Sequence, residues 1–180
     1  METVTEKRAP RNQGLWAFAV ALYAAPGVKA QCLALQERHR ADVPLLLAAV
    51  WHGASGRGGL SPRRAALWRA ISRRWRTRVI LRLRAARNAI RIAARTDPAI
   101  ARLRRSILDA ELEAERRCLA ELEAAAMKIS RPCMRQCGIR ALTSARPFVR
   151  GRSASARLTK IISALDAIAA NQRAGQRIAR

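Results

Sequence analysis

A chain of 180 residues, half of them apolar and 4% aromatic, is long enough to bury one core and too apolar to be disordered throughout. Its 36 basic and 12 acidic side chains give a formal charge of +24, which excludes a neutral surface and sets up a field that draws anions. Four cysteines are too few to staple a chain of this length and point to a reducing, cytoplasmic setting, and no apolar run approaches the roughly 20 residues of a spanning helix, so no transmembrane segment is expected.

Residues 1–14 are polar, contain Pro10 and read as a flexible arm. Leu15, Trp16, Phe18, Ala19, Leu22 and Tyr23 then recur at helical spacing and predict a first helix over 15–25. This run follows Lys7, Arg8 and Arg11 and so imitates a signal-peptide core, but Pro26 argues against cleavage after Ala25. Pro26-Gly27 punctuates the chain, and a second helix over 26–40 presents Val28, Cys32, Leu35 and His39 on one side. Asp42 is placed to cap a third helix, 43–52, with Pro44 in its first turn. The glycine-rich stretch 53–60 lacks the Gly-Lys-Ser/Thr ending of a phosphate loop and reads as a linker inside a helical domain spanning 15–128.

Ser61-Pro62 opens a long helical stretch with Trp68, Ile71, Trp75, Val79, Leu83, Ala86 and Ile90 as a continuous buried stripe, kinked near Thr77. Asp97-Pro98 opens the next helix, which runs to about residue 128 and holds the acidic group Asp109, Glu111, Glu113, Glu115, Glu121 and Glu123. A short turn between two long helices makes them antiparallel neighbours, so residues 109–123 should return alongside 71–85 and neutralise part of its arginine. Arg105 with Asp109, and Glu113 with Arg116 or Arg117, are spaced to pair along the helix itself. Pro132, Gly138, Pro147 and Gly151 make 129–155 a basic irregular connector. A C-terminal amphipathic helix over 156–172, opened by Ser153 or Ser155, precedes a frayed tail at 173–180. The fold class is all-α: a small irregular helical bundle with a central long antiparallel helix pair.

Thirteen arginines and no acidic residue lie between Asp42 and Asp97. Arg69, Arg73, Arg76, Arg84, Arg87 and Arg91 fall near one helical stripe, and guanidinium forks bind phosphate oxygens in pairs. With no helix-turn-helix pattern and no aromatic stacking platform, such a stripe suits nonspecific contact with an RNA or DNA backbone. Trp68 and Trp75 follow the apolar stripe and belong to the core. Arginine supplies 32 of the 36 basic residues, so a compositional bias toward arginine is an alternative source of the charge. A second reading is a protein adaptor or homo-oligomer whose basic face meets an acidic partner, including residues 111–123 of another copy.

Enzyme chemistry is not evident. The grouping Gln36, Glu37, His39 and Asp42, with His52 beyond, holds the histidines and their neighbouring carboxylate; it reads as helix-end hydrogen bonding, with a ligand pocket as the alternative. Two histidines and no paired Glu-x-x-His motifs leave little for a metal. Cys133 and Cys137 lack further ligands, and Glu111, Glu113 and Glu115 alternate as a salt-bridged face would. No cofactor, metal or catalytic residue is therefore assigned.

The run Leu15-Trp-Ala-Phe-Ala-Val-Ala-Leu-Tyr-Ala-Ala-Pro-Gly-Val28, with Cys32-Leu-Ala-Leu-Gln-Glu-Arg-His39 and Asp42-Val-Pro-Leu-Leu-Leu47, resembles the opening of a family of small uncharacterised bacterial proteins, a domain of unknown function. The resemblance extends over residues 15–125 and implies a helical, proteobacterial, cytoplasmic protein without bringing an activity or site residues. The chain departs from that pattern at Arg40, where glycine is usual, at Pro44, where asparagine is usual, and in the all-arginine character of the stretch after the glycine-rich loop.

Overall fold

The computed structural model describes residues 14–57, 59–127, 144–145, 148 and 151–178, and every regular element among them is helical. Residues 1–13 of the N-terminal arm, most of the connector expected at 129–155, and Cys133 and Cys137 lie outside the described residues. Helix α1 spans Leu15–Ala24 and buries Leu15, Phe18, Ala19 and Leu22, which are spaced for one face. Gly27 takes φ 77, a left-handed value that favours glycine, and so the second helix starts after the Pro26-Gly27 turn. Helix α2, Val28–His39, ends on Arg40, which adopts φ 51 while the N–H of Ala41 closes on the Leu35 carbonyl at 3.1 Å.

Asp42 begins helix α3, Val43–Ala54, by accepting a hydrogen bond from the Leu45 N–H at 3.3 Å. All ten residues from Leu45 to Ala54 are buried. A helix apolar on every side must be surrounded. Here the core cluster gathers Leu15, Phe18 and Leu22 from α1 around α3, together with Trp68, Cys118, Leu119, Leu122, Leu158 and Ile161 from later elements. The most enclosed element is therefore this short helix, where the sequence pointed to the long pair. It also runs two residues into the stretch read as a linker, and Leu60 at the far end of that stretch is buried.

The Ser61 hydroxyl accepts from the Arg64 N–H at 3.4 Å and opens helix α4, Pro62–Trp75. A π-helical turn, Arg76–Ile80, separates it from helix α5, Leu81–Ala89. This π turn contains Thr77, where the sequence reading puts a kink. Widening one turn from four to five residues rotates everything downstream by about 100°, the angle of one helical residue. The apolar stripe accordingly passes from Trp68 to Ile80, whereas Ala86 is exposed and α5 buries no residue completely. A 3-10 turn, Ala93–Arg95, leads to Asp97, whose carboxylate accepts from the N–H groups of Ala99 at 2.7 Å and Ile100 at 3.2 Å. Helix α6 then runs from Pro98 to Met127.

Helix α7, Arg152–Ile178, packs against α2, and Gly151 before it takes φ 91. It thus starts ahead of the expected residue 156, and its helical backbone continues past 172. Among the described residues no single helix is long and apolar enough to cross a membrane. Helices α1 and α2 together reach that length only across a 100° bend, and both direct their apolar faces into the core.

Candidate functional site

The arginines of α4, the π turn and α5 divide into those that pair with α6 and those that do not. Downstream of the π turn, Arg84 and Arg87 face α6, where both Nε atoms meet the Glu111 carboxylate at 2.7 and 2.8 Å. Arg84 also reaches Glu115 at 3.1 Å. Upstream, Arg74 pairs with Glu121 at 2.6 Å, and the Trp75 indole donates to the same carboxylate at 2.8 Å. Partner numbers fall along α6 as they rise from α4 to α5. Glu111 has its side chain 4% exposed, so this seam is a buried charge pair and not a solvated face. Burial raises the Glu115 carboxyl above its ordinary range, with Arg84 pulling the other way. Glu113 pairs along α6 with Arg117 at 2.7 Å and with Arg116 at 3.9 Å; among the described residues no ion pair joins Arg105 to Asp109.

Arg69, Arg73 and Arg76 recur at i, i+4 and i+7, up to the first residue of the π turn, and point elsewhere. With Thr77 they line a cavity of about 690 Å³ whose opposite wall is the end of α2 and the start of α3: His39, Arg40, Ala41, Asp42 and Leu45. Phe148 completes the lining, and the Arg69 guanidinium lies 5.1 Å from its ring centroid. Arg76 donates to the Ala41 carbonyl at 3.5 Å. His39 Nε2 stands 3.5 Å from the Ser153 hydroxyl at the start of α7. Asp42, the one carboxylate in the lining, is occupied: one oxygen caps α3, and the other accepts from the Ser72 hydroxyl at 2.6 Å. Among the described residues it forms no ion pair with an arginine.

The two candidate sets read separately from the sequence thus share one cavity in part. His39 and Asp42 join Arg69, Arg73 and Arg76 there. Gln36 and Glu37 do not line it, Arg84 and Arg87 are committed to Glu111, and Arg91 is exposed beyond the seam. The single outer stripe from Arg69 to Arg91 is therefore broken, because a constant helical period does not hold across residues 76–80. Arg40 and Phe148 were not anticipated. For Arg40 the available signal was its place after the last residue of a helix, where a left-handed conformation is common.

Other groups singled out in the sequence are structural. His52 is buried with its ring edge-on to Trp68, centroids 5.5 Å apart. Cys32 and Cys118 are buried free thiols, and burial pushes them up to about 11 and about 12. No group of three or more histidine, cysteine, aspartate or glutamate side chains among the described residues is placed to hold a metal ion.

A bundle built only of helices around an apolar α3, with a basic cavity between α2, α3 and α4, defines an all-α protein. The family model described as "Protein of unknown function (DUF2390)" matches residues 14–122, and the chain belongs to that family. The matched span holds every cavity residue except Phe148. No curated protein and no solved structure matches the chain.

Proposed function

We propose that this is a non-enzymatic cytoplasmic protein whose arginine-rich face holds a polyanion, the backbone of RNA or DNA, with little regard to sequence. The carrying observation is the surplus left after internal pairing. Glu111, Glu115 and Glu121 engage Arg74, Arg84 and Arg87, while Arg63, Arg73, Arg78, Arg82, Arg91 and Arg95 remain exposed along the same acid-free stretch. The three acids are matched by three arginines, so this pairing leaves the excess of exposed arginine on the stretch unneutralised. Guanidinium groups in solvent release counterions from a nucleic acid when they bind it. Fluorescence anisotropy with arbitrary RNA and duplex DNA tests the reading. The logarithm of affinity should fall with the logarithm of salt by about 0.9 per duplex phosphate neutralised, and an absence of binding at low salt would refute it.

A second reading, a protein adaptor or homo-oligomer, draws support from a different observation. Ile92, in the connection between α5 and α6, and Leu103 and Leu112 on α6 are 73%, 53% and 45% exposed. Large apolar side chains at such exposure are a feature of interaction surfaces. Sedimentation equilibrium separates the readings: a monomer at all concentrations and no stoichiometric acidic partner would leave this one without support.

A further inference from the structure

We infer that α5 and the first part of α6 form a docking surface for an acidic amphipathic helix of another protein, which rests on the adaptor reading and names its partner. From Leu81 to Ala110, through α5, the 3-10 turn and the start of α6, no residue is buried. Yet the stretch holds Leu83, Ile90, Ile92, Ile100, Leu103 and Ile107, with Ile92 73% and Leu103 53% exposed. Leu83, Ala86 and Ile90 recur at i, i+3 and i+7 on α5, and Ile100, Leu103, Ile107 and Ala110 recur at helical spacing on α6, so each helix carries an apolar row. Ion-pair partner numbers fall along α6 as they rise toward α5, and helices running in opposite senses bring the two rows to one face of the pair, beside the seam of Arg84, Arg87 and Glu111. Ala86 and Ala110 are exposed and small, which keeps the junction shallow and open. A third helix laid along it covers both rows at once.

Charge decides the occupant. Residues 81–110 carry eight arginines against two acids, Asp97 and Asp109, and Asp97 is occupied in capping α6. Carboxylates of α6 meet the inward arginines as far as Glu111. Two turns nearer the start of α6 the equivalent position is Arg104, whose Nε is buried and has no acceptor among the described residues. A second copy would bring the same excess of arginine to the surface, and residues 128–150 of this chain hold six basic side chains and no acid, so like charges oppose both. A nucleic-acid backbone would meet the arginines and leave the apolar rows in water. A lipid surface favours apolar residues gathered at a tip with aromatic anchors, whereas these rows run from Leu83 to Ile107 along both helices and the stretch has no aromatic residue. A helix with leucines on one side and glutamates flanking them meets both requirements.

Fluorescence anisotropy of a labelled peptide of three Glu-Leu-Glu-Glu-Ala-Leu-Glu heptads, titrated with the full chain at physiological salt, tests this. Recognition by an apolar row and flanking charge needs no unique sequence, so this generic helix suffices as the probe. One saturable site per chain is expected. The same peptide with alanine in place of leucine should bind at least tenfold more weakly, and Leu103→Gln with Ala86→Gln should weaken the leucine peptide as much. Both positions are exposed and glutamine is a good helix former, so α5 and α6 persist in that variant. Arg82→Gln with Arg102→Gln, one exposed arginine beside each row, should weaken binding several-fold and lessen its salt dependence. Leu33→Gln, at an exposed leucine of α2, should change nothing. The proposal is overturned by absence of saturable binding, by equal affinity for the alanine peptide, by an arginine pair without effect, or by a Leu33→Gln loss as large as that of the double variant. Vesicles of phosphatidylcholine with phosphatidylglycerol, bound by the parent and lost by Leu103→Gln with Ala86→Gln while the peptide is ignored, would assign the surface to lipid instead. Peptide binding that survives the double variant refutes this surface and leaves the adaptor reading standing; no peptide binding by a chain that sediments as a monomer refutes both.

Discussion

Replacing Glu111 with alanine isolates the seam that fastens α5 to α6. The side chain is 4% exposed and holds two guanidiniums at 2.7 and 2.8 Å, so its loss strands two charges at once. Removing one partner of a fully buried ion pair costs about 3–5 kcal/mol. Arg84 and Arg87 keep 26% and 19% side-chain exposure, and Arg84 retains Glu115 at 3.1 Å, so water and the second acid soften the loss. We expect about 2–3 kcal/mol, below that range because of this discount. Alanine is the best helix former, so helix propensity does not contribute to the cost. For a chain of this length that is a fall in Tm of about 5–10 °C. Urea and thermal unfolding followed by circular dichroism provide the measurement, with Glu113→Ala as the comparison. Glu113 is 48% exposed and pairs only along its own helix, which limits its effect to about 0.5 kcal/mol. The difference between the two variants should persist in 1 M salt, where exposed pairs are screened. If Glu111→Ala falls within about 0.5 kcal/mol of Glu113→Ala, the seam is not the buried charge pair described.

Arg40→Gly relieves a left-handed residue worth about 1–2 kcal/mol but adds unfolded-state entropy of about 0.5–1 kcal/mol, so urea unfolding should show stability unchanged or raised by up to about 1.5 kcal/mol. A clear destabilisation would mean that the arginine side chain contributes more than its backbone loses. Burial raises the Glu115 carboxyl above 4.5, so the folded chain keeps this proton to higher pH than the unfolded chain does. Its contribution to stability is greatest below 4.5 and is lost as pH rises through the raised value. Glu115→Gln should therefore gain on the parent in urea midpoint between pH 4 and 7, and a constant difference would refute dominance by burial. Thiols at about 11 and about 12 are ionised to only about one part in a thousand and one in ten thousand at pH 8. Peptide mapping after iodoacetamide should find Cys32 and Cys118 unmodified in the folded chain and modified in urea; modification without denaturant would show that the core opens.

The helical elements were legible because their signals are local. Asp42, Ser61 and Asp97 cap the helices they precede, and the spacing of Leu15, Phe18 and Leu22 marks the buried side of α1. Acidic residues returning to meet arginines could also be foreseen, since a short turn leaves two long helices few other places to go; which arginines would be taken could not. A π turn changes the period without changing the hydrophobic content, so nothing in the residues around Thr77 marks the rotation that turns Arg84 and Arg87 toward Glu111. The cavity escaped for a related reason. Its walls are about 30 residues apart in sequence, and only packing brings His39, Arg40 and Asp42 opposite Arg69, Arg73 and Arg76.

By itself, the sequence determined an all-α chain with its caps, its apolar faces and a large positive charge, since each depends on residues a few positions apart. Only the tertiary structure decided how that charge is divided, between a buried seam, a concave cluster and an outer face. Coulomb energy depends on distance and on burial, and neither is written in the order of the residues.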